Sequence, residues 1–133
     1  MLKKLASVII AIVVFYGLSP VEAKAGVKTQ TVAYTVGNEK FTGYLAYNDA
    51  TSDKRPGIIV VHEWWGHDAY ARKRAEMLAK LGYTALALDM YGTGKLASHP
   101  KDAQSFMMAA TKSVDQMKSR FLAAYDLLKK HNV

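Results

Sequence analysis

Gly57-Ile58-Ile59-Val60-Val61 is a run of β-branched residues behind one glycine, preceded by the polar, turn-rich stretch from Asn48 to Pro56. A half-exposed strand shows polar residues at alternate positions, so an unbroken run suits a strand covered on both faces, as in a parallel sheet. A second short apolar run, Tyr83-Thr84-Ala85-Leu86-Ala87-Leu88-Asp89, follows. Between the two, Ala71, Ala75, Leu78 and Leu81 recur at helical spacing, Asp68 can cap the start and Gly82 can stop the end. The spacing predicts a helix over about residues 69–81 and an interior parallel strand at Gly57-Val61, the whole forming a βαβ unit.

The flanks extend this core. Residues 28–36 are rich in β-formers and, after Gly37-Asn38, a second such run goes from Lys40 to Tyr47, which reads as a β-hairpin. Pro100 can open a helix whose apolar residues fall at Ala103, Phe106, Ala110, Val114, Met117, Phe121, Ala124 and Leu128. Steps of three and four give one buried face, so a single long helix is expected to pack on the sheet. No internal repeat or linker divides the chain. The expected class is α/β: a hairpin, a βαβ unit and a long C-terminal helix.

The first residues have a different character. Lys3 and Lys4 precede an uncharged run from Leu5 to Leu18, then helix-breaking Ser19-Pro20 and the small-residue pattern Val21-Glu22-Ala23. Fourteen residues rise only ~21 Å as a helix, short of a hydrocarbon core of roughly 30 Å. Residues 1–23 are therefore expected to be a cleaved signal peptide, with residues 24–133 the folded domain, exported to the periplasm or secreted. Removing Lys3, Lys4 and Glu22 leaves 16 basic and 10 acidic residues, a net charge of +6. These charges are interspersed, as in Arg72-Lys73-Arg74 with Glu76, which suits a solvated surface better than a nucleic-acid interface. On this reading the membrane is met only during export. The absence of cysteine excludes disulfides, Cys-ligated zinc and a thiol nucleophile.

In open α/β sheets ligands bind beyond the carboxyl ends of the strands. Two segments lie there. His62-Glu63-Trp64-Trp65-Gly66-His67 brings together a carboxylate, two imidazoles and two indoles; a carboxylate at the end of a buried strand is costly unless hydrogen-bonded or functional. The two histidines are five apart across a strand-to-loop junction, whereas a helical zinc motif needs four, so no metal is expected. Asp89-Met90-Tyr91-Gly92-Thr93-Gly94-Lys95 has a Gly-x-Gly-Lys sequence but lacks the first glycine and the final Ser or Thr of a phosphate loop, so no nucleotide cofactor is expected either. Asp89 reads as a cap for its own loop, and Trp64 and Trp65 as rings covering the top of the sheet.

Arg55-Pro56-Gly57-Ile58-Ile59-Val60-Val61-His62-Glu63-Trp64-Trp65-Gly66, Ala71-Arg72, Leu81-Gly82-Tyr83 and Ala87-Leu88-Asp89-Met90-Tyr91-Gly92 together resemble the dienelactone hydrolase family. The resemblance implies an α/β-hydrolase fold and cleavage of small ester or lactone substrates by a Cys or Ser nucleophile, an Asp and a His. Within it, Glu63 matches the carboxylate that interacts with the nucleophile, and Trp64 the position whose backbone N–H helps form the oxyanion hole. His62, Trp65 and Tyr91 become candidates for the substrate pocket. The family's elbow, Gly-x-Cys/Ser-x-Gly, is absent from this sequence. The resemblance places that elbow beyond Val133, with the triad acid and base after it. The chain thus reads as the N-terminal half of such a hydrolase, truncated and inactive alone, with a non-catalytic exported binding module, or a split enzyme completed by a separate C-terminal half, as the alternative.

Overall fold

The computed structural model describes residues 26–50, 52–131 and 133. The expected signal peptide lies outside the described residues. Seven elements follow in order: strands β1 (Val27–Val36), β2 (Glu39–Asn48) and β3 (Gly57–Val61), helix α1 (Ala69–Lys80), strand β4 (Thr84–Leu88), and helices α2 (Pro100–Thr111) and α3 (Val114–Leu128). The sheet order is β1-β2-β4-β3, with β1/β2 and β2/β4 antiparallel and β3/β4 parallel.

The hairpin forms as the sequence predicts: Val36 pairs with Glu39 across a two-residue turn in which Gly37 takes φ +58°, a value glycine adopts without steric cost. The βαβ unit is also present. Asp68 Oδ1 accepts from the Ala71 N–H at 2.9 Å and caps α1, and Gly82 at φ +96° ends it.

Alternation along β4 sets the layers. Leu86 and Leu88 point to one face, where they pack with Val32, Tyr34, Phe41, Leu45, and Ala124 and Leu128 of α3. Ala85 and Ala87 point to the other, against Ala46 and the Ala71, Ala75, Ala79 stripe of α1. The α1 face of the sheet is thus packed mainly by alanines, and the α3 face by larger aromatic and aliphatic side chains. Each fully buried leucine contributes roughly 1.5–3 kcal/mol relative to exposure.

Two expectations are corrected. The interior strands are β2 and β4, each hydrogen-bonded on both sides, whereas β3 pairs with β4 alone and has no second strand among the described residues. Val61 is accordingly 53% exposed despite its apolar run. The single long helix is two, because Ser113 turns extended (φ −139°, ψ 131°) and its hydroxyl accepts from the Gln116 N–H, starting α3 afresh. The inward face changes with the break: Val114 and Phe121 are exposed, and Arg120, Ala124 and Leu128 are buried.

Candidate functional site at the end of strand β3

Chemistry-bearing residues converge where β3 and β4 end side by side in parallel. Chain direction alone places the two following loops together, and backbone bonds then join them. Ala97 N–H donates to Trp65 C=O at 3.0 Å, and Gly66 forms an antiparallel bridge with Leu96. Gly66 adopts φ +101°, and a Cβ there would stand 2.9 Å from Lys95 O.

His62 is buried and committed at both ring nitrogens. Nδ1 lies 2.7 Å from Glu63 C=O, and Nε2 lies 3.1 Å from Met90 N. A carbonyl can only accept and an amide N–H can only donate, so the ring is the neutral tautomer with its proton on Nδ1. Tyr91 packs edge-on against it at 4.6 Å between ring centroids and donates its hydroxyl to Trp64 C=O at 3.1 Å. Burial raises the pKa of that hydroxyl above the usual tyrosine value.

Glu63 and Trp64 open the turn closed by Gly66 N–H donating to Glu63 C=O at 3.2 Å. The Glu63 side chain is exposed, so the desolvation cost anticipated for a carboxylate at this strand end does not arise. Among the described residues neither the Glu63 carboxylate nor the Trp64 N–H has a hydrogen-bond partner. Glu63 and Trp64 both line a depression of about 310 Å³ whose other lining residues include Val61, Met90, Tyr91, Met107 and Met117. His62 also lines it, but Trp65 does not; the Trp65 ring lies beside Trp64 at 5.4 Å, and both indoles are about two-fifths exposed over the sheet end.

Asp89 is the loop cap the sequence suggests. Its Oδ1 accepts from Tyr91 N and Gly92 N, each at 2.9 Å, and Oδ2 from Thr42 N at 3.3 Å. Behind it, Tyr34 donates its hydroxyl to Asp89 C=O at 2.6 Å and accepts from Asp89 N at 3.0 Å. His67, on the α1 side, is buried, and that burial, ahead of the nearby Arg72 charge, holds its pKa below the usual histidine value.

Two supporting residues escape sequence reasoning. Tyr34 looks like any aromatic of an alternating strand. Arg120 fits the inward spacing with Ala124 and Leu128, but its charge argues for the surface until its partners are seen: Met90 C=O and Glu39 Oε2, both at 2.8 Å, and the Phe41 ring at 5.1 Å.

A mixed sheet flanked by helices on both faces, with loops meeting beyond two parallel strands, is an α/β architecture of the kind α/β-hydrolases share. The chain belongs to the dienelactone hydrolase family, whose model matches residues 41–133. Protein usf of Aquifex pyrophilus is 33% identical over 104 residues, covering 75% of this chain and 43% of that protein. Among solved structures, m3DLH is 32% identical with a TM-score of 0.75, covering 80% of this chain and 45% of that one. The dienelactone hydrolase-like promiscuous phosphotriesterase P91 from metagenomic libraries is 29% identical with a TM-score of 0.74, covering 80% and 44% respectively. The chain thus spans less than half the length of these relatives.

Proposed function

We propose that this chain supplies the N-terminal half of an ester- or lactone-cleaving site, with Glu63 as the carboxylate beside the nucleophile and the Trp64 N–H as an oxyanion-hole donor. One observation carries the reading: at the end of β3, Glu63, with an exposed carboxylate, and Trp64, whose N–H has no partner among the described residues, are adjacent and line a largely apolar depression. Such a depression suits the body of a small-molecule ester or lactone. A donor aimed at a developing oxyanion is worth roughly 3–4 kcal/mol of transition-state stabilisation.

The sequence has no cysteine and no Gly-x-Ser-x-Gly elbow, so nucleophile, triad acid and triad base come, on this reading, from residues outside it. No cofactor is needed for acyl transfer of this kind. The exported location expected from the first residues belongs to the same proposal. The test is to sequence the gene past the codon for Val133, express any longer product and assay it on p-nitrophenyl esters and a lactone. Turnover that falls at least tenfold in Glu63→Gln, with the 133-residue chain inert, is the expected result. Equal turnover by the short chain, or none by a longer one, overturns it.

A second reading is that a separate chain completes the domain. It is favoured by the side of β3 that meets no strand among the described residues, beside which Gly57, Ile58, Ile59, Phe121, Tyr125 and Leu128 line a depression of about 640 Å³. Co-purification of the full chain with a polypeptide carrying the missing elbow supports it.

A further inference from the structure

We infer that His62 is a positioning residue for the oxyanion hole, acting through the Glu63–Trp64 peptide group. The inference rests on the functional reading above for its consequence, but its geometry stands independently. In a trans peptide the C=O and N–H point in opposite directions within one rigid plane. The Glu63 carbonyl and the Trp64 N–H belong to the same plane, so whatever fixes the first aims the second. Two donors fix it: His62 Nδ1 at 2.7 Å and the Gly66 N–H at 3.2 Å.

The imidazole itself is held from the far side. Its Nε2 accepts from Met90 N–H at 3.1 Å, at the end of the interior strand β4. The ring is therefore a rigid spacer between the sheet and the turn, committed to one tautomer because only the Nδ1-protonated form satisfies both partners. Tyr91 completes the clamp by holding the next carbonyl, that of Trp64, while lying edge-on to the same imidazole. Both peptide planes flanking Trp64 are thus anchored by side chains. Preorganisation of this sort matters because a donor that must reorient during the reaction loses much of its stabilising effect. The role asks nothing of His62 as an acid or a base.

The test uses the nitrogen-15-labelled full chain. A through-hydrogen-bond coupling between the Met90 amide nitrogen and His62 Nε2, with the ring proton on Nδ1, is expected in the unsubstituted chain; its absence overturns the proposal without any variant having to fold. Residual dipolar couplings then give the direction of the Trp64 N–H against the frame of the β4 and α1 amides. In His62→Asn an amide N–H replaces Nδ1, and the Trp64 coupling is expected to keep its value. In His62→Gln the side-chain carbonyl replaces Nε2 and the donor to Glu63 is lost; the Trp64 coupling is expected to shift or average out while the β4 and α1 couplings hold. An unmoved Trp64 vector in His62→Gln overturns the positioning role and leaves the hydrolase reading intact. Failure of every longer product to cleave esters removes the hydrolase reading and leaves this measurement unaffected.

Discussion

Arg120 reaches across to Glu39: Nη2 lies 2.8 Å from the Glu39 carboxylate, with the Arg120 side chain 3% and the Glu39 side chain 46% exposed. The pair is unequal, since water screens the acid while the base is enclosed by Phe41 and the Met90 carbonyl. Removing Arg120 leaves the carbonyl of Met90 unpaired, at a cost of about 1–3 kcal/mol before lost packing is counted. Replacing Glu39 by Gln keeps an oxygen acceptor for Nη2 at a position water already reaches, so the loss is expected to be the smaller of the two. Urea unfolding of Arg120→Ala and Glu39→Gln is expected to show that order; equal losses would mean the ion pair, not the carbonyl bond, holds α3.

Gly66→Ala is expected to destabilise. The residue sits at φ +101°, and its new Cβ would meet the Lys95 carbonyl at 2.9 Å. Backbone strain of this kind costs about 1–3 kcal/mol. Thermal unfolding checks it, and an unchanged midpoint would show that the two loops yield without penalty.

Stability should fall on mild acidification because of His67. Burial holds its folded-state pKa below the usual 6.5, so the unfolded chain takes up a proton that the fold resists. The contribution is full above the usual value, declines as pH drops through it toward the lower folded value, and then levels off. Urea midpoints measured from pH 8 downward should show this decline setting in at higher pH than any loss from carboxylates, and His67→Gln should lessen it. A variant with the same slope would assign the effect elsewhere.

Tyr34→Phe removes a hydroxyl that both donates to and accepts from the Asp89 backbone. The expected loss is about 1–3 kcal/mol, with the Asp89–Gly92 loop loosened. Burial raises the Tyr34 pKa well above the usual tyrosine value, so alkaline titration should show this phenol ionising only as the chain unfolds. Early ionisation of every tyrosine would contradict the enclosure of Tyr34.

Most of the architecture is legible in local patterns. Asp68 and Gly82 bracket α1 as caps do, and Gly37 marks the hairpin turn. The helix break was legible too: Ser113 with Gln116 three residues later is a capping signature, outweighed by a periodicity that runs straight across it. The edge position of β3 is not readable from its own residues, because Ile58 to Val61 describe what could cover a strand and not which neighbours it finds. At the site, Glu63 and Trp64 stood out by position after β3. The bonds from Tyr91 to the Trp64 carbonyl, from Arg120 to the Met90 carbonyl and from the Met90 N–H to His62 Nε2 join residues 27, 30 and 28 apart in sequence, and no spacing announces them.

Among the described residues β3 has one hydrogen-bonded neighbour, which bears on local opening. A strand attached along one side can exchange its amides without global unfolding, so β3 should lie toward the low end of the protection ladder and β4 toward the high end. The Glu63–Trp64 peptide sits just beyond that strand, tied to the end of β4 by the His62 imidazole and, one carbonyl further on, by the Tyr91 hydroxyl. Any segment that zips onto the free side of β3 would slow its breathing, and so quieten the turn at its end from a distance.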